Sequence, residues 1–264
     1  MTNQKTMRRL IIITNNGGEG NYLGGVAVDR QNYLDFFQLP EGGLWEAGEI
    51  QSYDNFCTLG LLRSYLISCS LHSRGQLDYV VLVFCGHGYT NQYGNQIFEL
   101  SPGNEASLQD IINIMQHTRC LMIADCCRTI VRLDEGGVIT SRQRMFTESR
   151  ESDDYKQECR RIYDMRFKQM TIGSICLGRA ASLNQAANEN SNTGGYYSHA
   201  LLESARDVIA HKKSQARPTD YCPVSSFPYI HNMAAQKVIE RTRNGQQPVC
   251  DGARWFQPPF VVVA

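Results

Sequence analysis

Val80-Val81-Leu82-Val83-Phe84-Cys85-Gly86-His87-Gly88 and, forty residues on, Cys120-Leu121-Met122-Ile123-Ala124-Asp125-Cys126-Cys127-Arg128 decide how this chain is read. Each is an apolar run with the length of a buried strand, and each ends abruptly in small and reactive residues. One run ends in His87, the other in Cys127. In an open α/β sheet, ligands and chemistry sit in the crevice at the carboxyl ends of the strands. As parallel neighbours, the two strands would set His87 and Cys127 face to face across that crevice. A general base beside a thiol is the minimum equipment for nucleophilic catalysis.

Outward from these two runs, apolar strand-like segments alternate with stretches of helical spacing. Arg9 to Thr14 reads as a strand, and a Gly-rich loop follows from Asn15 to Gly25. Val26 to Phe37 has helical spacing, with Pro40-Glu41-Gly42-Gly43 at its exit. A long helix is expected over Gln51 to Leu71, strands over Tyr79 to Phe84 and Gln96 to Leu100, and a helix from Ser107 to about His117. Cys120 to Asp125 and Thr171 to Leu177 read as strands, Tyr196 to His211 and Phe227 to Arg243 as helices, and Pro258 to Ala264 as a short closing strand. The alternation implies βαβ units: an α/β fold with a mostly parallel central sheet and helices on both faces. The segment at about 132–169 is dense in charge and poor in large apolar residues, so an exposed, mobile loop is expected there. Residues 1–264 are read as one domain carrying that loop.

The bulk composition narrows the function. Apolar residues make up 42% and charged residues 20%, as in ordinary soluble globular proteins. Lys+Arg and Asp+Glu are equal at 26 each, so no global field favours nucleic acid or an anionic membrane. No apolar run approaches the ~18–20 residues that cross a bilayer, and the basic start runs into a strand-like stretch rather than a signal peptide. The chain is too long and too regular for its ten cysteines to form a secreted disulfide framework, and no Cys-x-x-Cys pair occurs. A reducing cytoplasm is the expected compartment.

Three other readings fit these residues less well. A zinc site from Cys85, His87, Cys126 and Cys127 would use suitable ligand types, but adjacent cysteines on a strand point opposite ways. The loop Asn16-Gly17-Gly18-Glu19-Gly20-Asn21-Tyr22 follows a strand but lacks the Gly-Lys-Ser/Thr ending and places an acid where phosphate would sit, so it reads as a turn or substrate-side loop. A scaffold that binds partners without cutting would need to keep neither His87 nor Cys127.

The two opening segments resemble those of caspases and metacaspases. Val83-Phe84-Cys85-Gly86-His87-Gly88 is similar to their small-x-Gly-His-Gly segment, and Ile123-Ala124-Asp125-Cys126-Cys127-Arg128 to their Asp-x-Cys segment. In matching order come the Leu10 to Thr14 strand, Leu23-x-Gly25-x-x-x-Asp29, Ile175 to Ala181, and Gly194-Gly195-Tyr196-Tyr197-Ser198-His199-Ala200-Leu201-Leu202. The resemblance implies a caspase-like fold and a cysteine endopeptidase with Cys127 as nucleophile and His87 as general base. Cys126 is the rival nucleophile, disfavoured because the motif sets the thiol two residues after Asp125. Backbone N–H groups of Gly88 and Cys127 would form the oxyanion hole.

In metacaspase-like enzymes the acids matching Asp29 and Asp125 line the pocket for the residue before the scissile bond. Two carboxylates there favour a cation, and Arg offers them a bidentate fork. Cleavage after Arg, with Lys second, is therefore expected; otherwise Asp29 is a surface helix residue and Asp125 a cap. The loop after the nucleophile is often where such chains are cut, which makes Arg142, Arg144, Arg150, Arg160, Arg161 and Arg166 candidate self-cleavage positions. Expected partners are protein or peptide substrates and an activating protease or regulatory protein. No cofactor is indicated, and no acidic cluster reproduces the calcium site of many metacaspases. A single-domain enzyme without a prodomain would suit, by analogy, a prokaryotic stress or defence pathway.

Overall fold

The apolar runs form strands because they are covered on both sides, the setting in which near-continuous apolar sequence is stable as parallel sheet. The computed structural model describes residues 6–18, 20–72, 77–128, 145–146, 151–215, 222–252 and 256–264. Along the chain run β1 (Arg8–Asn15), α1 (Val26–Gln38), β2 (Ile50–Asp54), α2 (Leu59–His72), β3 (Tyr79–Gly86), β4 (Gly88–Thr90), β5 (Gln96–Ser101), β6 (Asn104–Ser107), α3 (Leu108–Met115) and β7 (Arg119–Asp125). Then follow α4 (Asp153–Lys168), β8 (Ile175–Arg179), β9 (Glu189–Asn190), β10 (Gly194–Gly195), α5 (Tyr196–Ser214), β11 (Val224–Ser226), α6 (Phe227–Arg241), β12 (Val249–Asp251) and β13 (Pro259–Val262).

Six strands make the central sheet in the order β12-β8-β7-β3-β1-β2. Every neighbouring pair is parallel except β12, which runs antiparallel to β8 at one edge. Alternation along each strand divides the core in two. Leu10, Ile12, Val81, Val83, Leu121 and Ile123 belong to a cluster that includes residues of α1, α4, α5, α6 and β13. Ile11, Ile13, Val80, Leu82, Met122 and Ala124 belong to the other, with α2, α3 and the small antiparallel sheet β4-β5-β6. Each of the Leu, Ile, Val and Met side chains contributes about 1.5–3 kcal/mol by burial. The expected mostly parallel sheet with helices on both faces is therefore present. The chain leaves β1 for the edge at β2 and returns past β1 to β3 and β7, so the winding reverses beside β1. The crevice for chemistry is expected at the carboxyl ends there.

Three sequence expectations need correction. The helix expected over Gln51 to Leu71 is instead β2 followed by α2: Tyr53 is buried in a strand paired with β1, Asn55 turns the chain at φ 60°, and Thr58 Oγ1 accepts the amide of Leu61 at 3.1 Å as α2 begins. The strand expected from Thr171 starts only at Ile175, after a turn with Gly173 at φ 79°. The charged loop expected at about 132–169 contains a sixteen-residue helix, α4. Ser152 caps it by accepting from Tyr155 N, Asp153 and Asp154 occupy its first turn, and Cys159, Ile162, Tyr163 and Phe167 form a buried face. Its many charges concealed that stripe. Residues 129–144 and 147–150 of the same segment lie outside the described residues.

Candidate active site

The register sets the site. In the parallel β3–β7 pair Cys85 stands opposite Asp125, and His87 and Cys127 each lie two residues beyond that pair. Both are therefore delivered to one edge of the sheet, at the end where the winding reverses. A Cβ on Gly86 would lie 2.5 Å from Asn15 O, so glycine lets β3 leave the sheet past β1.

The loop after β1 folds back to hold the imidazole. His87 Nε2 lies 2.7 Å from the backbone oxygen of Asn21. A carbonyl only accepts, so Nε2 carries a proton, and in the neutral tautomer this leaves the lone pair on Nδ1 to act as a base. The loop that supplies this oxygen is tied by Gly17 N to Asn15 Oδ1 at 3.0 Å, Asn16 N to Asn55 Oδ1 at 2.9 Å and Leu23 N to Asn16 O at 2.7 Å. Gly17, at φ 78°, is obligatory: a Cβ there would lie 2.6 Å from His87 Nε2 and closer still to Asn21 O. The Gly-rich loop is thus the orienter of the histidine, a role that its sequence did not announce.

Gly88 begins the edge strand β4 opposite Phe98. Glu99 N donates to His87 O at 3.1 Å, which makes His87–Glu99 a hydrogen-bonded pair. The next position, Gly88, is then a non-bonded one, with its N–H turned away from β5. A Cβ on Gly88 would lie 2.8 Å from Cys126 Sγ.

The two adjacent cysteines diverge. Cys126 is buried in the α2–α3 cluster beneath Gly88, accepts from Gln96 Nε2 at 3.5 Å, and has its thiol pushed up by burial above the ordinary range. Cys127 is half-buried on the other side, where its sulfur accepts from Ala187 N at 3.3 Å and donates to Ala187 O at 3.6 Å. Burial pushes its thiol up too; the Ala187 amide opposes this, and the charges of Asp125 and Glu189 add to it. Arg128 is anchored behind it, its N–H donating to Gln185 O and its carbonyl accepting from Thr90 Oγ1. No hydrogen bond joins His87 to Cys127 among the described residues, a looseness common before substrate arrives.

Asp29 and Asp125 lie near enough for the charge of Asp125 to act on Asp29, and neither is a surface residue: their exposures are 2% and 7%. Both lie at the N-terminal end of α5. Gly195 N donates to Asp29 Oδ2 at 2.9 Å, and Ser198 N to Asp125 Oδ2 at 2.9 Å. A Cβ at Gly194 would collide with Asp29 Oδ1, and one at Gly195 with Asp125 Oδ2, so the glycine pair leaves the acids their room. A third acid, Glu189 on β9, accepts from Gly25 N at 3.2 Å at the start of α1. Two positive helix ends thus face the group. They do not neutralise it: Asp29 Oδ1 is buried without a partner, and none of the three acids forms an ion pair among the described residues. Burial pushes up all three carboxyls, Glu189 to about 7, and the charge of Asp125 adds to the rise of Asp29 and Glu189. Glu189 was missed in the sequence because a single acid in a polar loop carries no periodic or motif signal.

Of the candidate self-cleavage positions, Arg142, Arg144 and Arg150 lie outside the described residues. Arg160 and Arg161 are within α4, as is Arg166, and for these the expectation of an exposed loop is corrected. Arg160 is buried and bonded to Glu46 at 2.9 Å, Glu49 at 2.5 Å and Leu44 O at 2.9 Å, while Arg161 pairs with Glu158 on the helix surface. A protease cleft takes an extended strand, which a packed helix cannot supply. Among the described residues no helix is long and apolar enough to cross a membrane.

Comparison with known proteins agrees with this arrangement. The crystal structure of caspase-1 from Spodoptera frugiperda superimposes with a TM-score of 0.57 over 95% of this chain and 88% of that one, at 12% identity, which establishes the shared fold. Comparison with curated protein sequences gave no match. A family model described as the caspase domain matches residues 7–255. With nearly the whole length matched, the chain belongs to the caspase family of cysteine peptidases.

Proposed function

We propose that this peptidase cleaves after arginine, with lysine second, using Cys127 as nucleophile and His87 as base. The observation that carries the reading is the meeting of Asp29, Asp125 and Glu189, buried or half-buried and without a cation among the described residues, on the strand end that bears Cys127. Anions gathered out of water are costly unless paired. A guanidinium offers five N–H donors in a planar fork and supplies the missing charge; an ammonium is a compact point charge with three. An aspartate side chain would meet only repulsion.

The chemistry follows from the orientations above. His87 Nδ1 takes the thiol proton once Cys127 turns from Ala187, and the sulfur bonds to the scissile carbonyl carbon. The oxygen that becomes negative accepts from the N–H groups of Gly88 and Cys127, each donor worth ~10²–10³ in rate. His87 returns the proton to the leaving amine, and water activated by the same imidazole then hydrolyses the thioester. The substrate cation also acts on the nucleophile. Asp125 and Glu189 oppose thiolate formation at Cys127, and a guanidinium between them offsets that field as it binds.

Self-cleavage, if it accompanies activation, falls to Arg142, Arg144 or Arg150. Peptides ending in Arg, Lys or Asp before a reporter amine, assayed with the intact chain and with Cys127→Ala, test the whole reading. Arg is expected to exceed Lys, and Asp to be inert; preference for Asp would sink the specificity. Equal turnover by the Cys127→Ala variant would sink the nucleophile, and no turnover with any peptide would favour a partner-binding scaffold.

A further inference from the structure

All ten cysteines are free thiols, and two outside the active site approach one another. Cys176 Sγ on β8 and Cys250 Sγ on β12 lie 3.9 Å apart. The strands are antiparallel, with Cys250 opposite Gly178 and Asp251 opposite Leu177, so the two cysteines are diagonal neighbours. Gly252 closes the end of β12 onto Cys176, where a Cβ would lie 2.6 Å from the Cys176 Cα. β12 is three residues long, sits at the edge of the sheet and is bonded on one side only, so it can shift toward β8.

The two thiols are also unlike. Cys176 is buried, whereas Cys250 is half-buried at the edge. Where the shared proton sits on Cys176, the sulfur–sulfur contact favours ionisation of Cys250, as does the nearby Arg179 guanidinium, against burial and Asp251. The same contact, with burial, holds Cys176 protonated. A half-buried thiol whose ionisation is favoured, beside a buried second thiol, is the division of labour of redox-reactive cysteine pairs.

We propose that Cys250 and Cys176 form a peroxide-reactive pair that closes to a disulfide joining the edge strand to the central sheet. The Cys250 sulfur attacks one oxygen of hydrogen peroxide; the O–O bond breaks, hydroxide leaves and takes up the thiol proton as water, and Cys250 becomes a sulfenic acid. The Cys176 sulfur then attacks the Cys250 sulfur. The S–O bond breaks, a second water leaves with the Cys176 proton, and the S–S bond forms. Two thiols are oxidised by two electrons and the peroxide is reduced to two waters. The sulfurs close from 3.9 Å to about 2.05 Å, and a small dithiol reverses the bond by exchange.

The test treats the full chain with a small excess of hydrogen peroxide, alkylates the remaining thiols and maps the peptides by mass. A Cys176–Cys250 linked peptide that dithiothreitol removes is expected, appearing at least about tenfold faster than oxidation of the exposed Cys222. Cys250→Ser is expected to abolish the link, and Cys176→Ser to leave a sulfenic acid at Cys250 that dimedone traps. The wild-type map alone overturns the proposal if Cys222 is oxidised while Cys250 stays reduced. So does an unlinked Cys250 sulfenic acid in the wild type, or a link to another cysteine.

Discussion

Two groups of buried carboxylates can be set side by side in this molecule. Glu49, 5% exposed, faces Arg8 at 3.0 Å and Arg160 at 2.5 Å, and Asp164 faces Arg8 at 2.8 Å. Asp29, at 2% exposure, has one amide and an orphaned oxygen. Burial opposes ionisation at both Glu49 and Asp29, yet the Arg8 and Arg160 guanidiniums hold Glu49 below its usual range while Asp29 is pushed well above its own. Glu49 has two cationic partners, whereas Asp29 has none among the described residues. The first group is a completed set of ion pairs that fastens α4 to β1 and to the segment before β2. The second is a set of acids with no cation among the described residues, at the strand end that bears Cys127, and the proposed substrate cation would complete it.

Removing one member from each group should have opposite consequences. Arg8 is fully buried, bonded to Tyr79 at 3.1 Å and Leu44 O at 2.9 Å as well as its two acids, and stacked 4.4 Å from the Trp45 ring centre. Arg8→Met leaves Asp164 without its cation and strips Glu49 of one of two. Breaking such a set costs about 3–5 kcal/mol, which for a chain of this size lowers the melting temperature by roughly 10 °C. Calorimetry or thermal circular dichroism reads it. A shift of only a degree or two would mean that the network is screened and contributes little.

Asp29→Asn should instead leave the stability within about 1 kcal/mol of the wild type, or raise it. Burial and the charges of Asp125 and Glu189 already favour the neutral carboxyl, and a neutral amide can still accept from Gly195. The loss should fall on catalysis: kcat/KM for an Arg peptide is expected to drop by about 10²-fold, the worth of a charge-assisted pair in a desolvated pocket. Thermal melting and kinetics on the same preparation check both halves. If the variant unfolds as Arg8→Met does, the acids are structural and the contrast between the two groups fails.

The same contrast explains what was legible in the sequence. The strands β3 and β7 showed themselves because a strand covered on both faces is nearly apolar throughout, and His87 and Cys127 stood out as reactive residues just past their ends. Asp29 and Asp125 could be found because each sits at a fixed offset from a recognisable segment. α4 was concealed because its buried face shares a helix with Arg160, whose charge is cancelled by Glu46 and Glu49, more than a hundred residues earlier in the chain. β2 was concealed because Ile50 to Asp54 is only five residues long and half-buried, and its strand character comes from pairing with β1. The Asn21 oxygen that orients His87 is a backbone atom and has no sequence signal at all. Glu189 escaped for a related reason: its position depends on the β9–β10 pairing, which brings it against the start of α1.

Glu189 gives the smallest of these effects and the sharpest test of the incomplete group. Its carboxyl is pushed up to about 7, by burial first and by Asp125 next, with the amides of Gly25 and Gly24 pulling the other way. Below neutrality it holds a proton and adds nothing to the attraction for a cation; above it, it adds a charge. The inhibition constant of a small unreactive guanidine should therefore fall several-fold as pH rises from about 6 to about 8. Such a ligand reads occupancy rather than turnover, and burial holds the Cys127 thiol above its ordinary range, outside that pH window. For stability the sign reverses. The folded chain keeps a proton on Glu189 that the unfolded chain has already lost above its usual range, so the contribution declines as pH rises from about 4.5 to about 7. Partial exposure limits that decline to about 1–2 kcal/mol. Glu189→Gln is expected to flatten both profiles and to lower kcat/KM for Arg peptides by less than Asp29→Asn does. A guanidine inhibition constant that does not change with pH in the wild type would place Glu189 outside the socket and leave Asp29 and Asp125 to hold the cation alone.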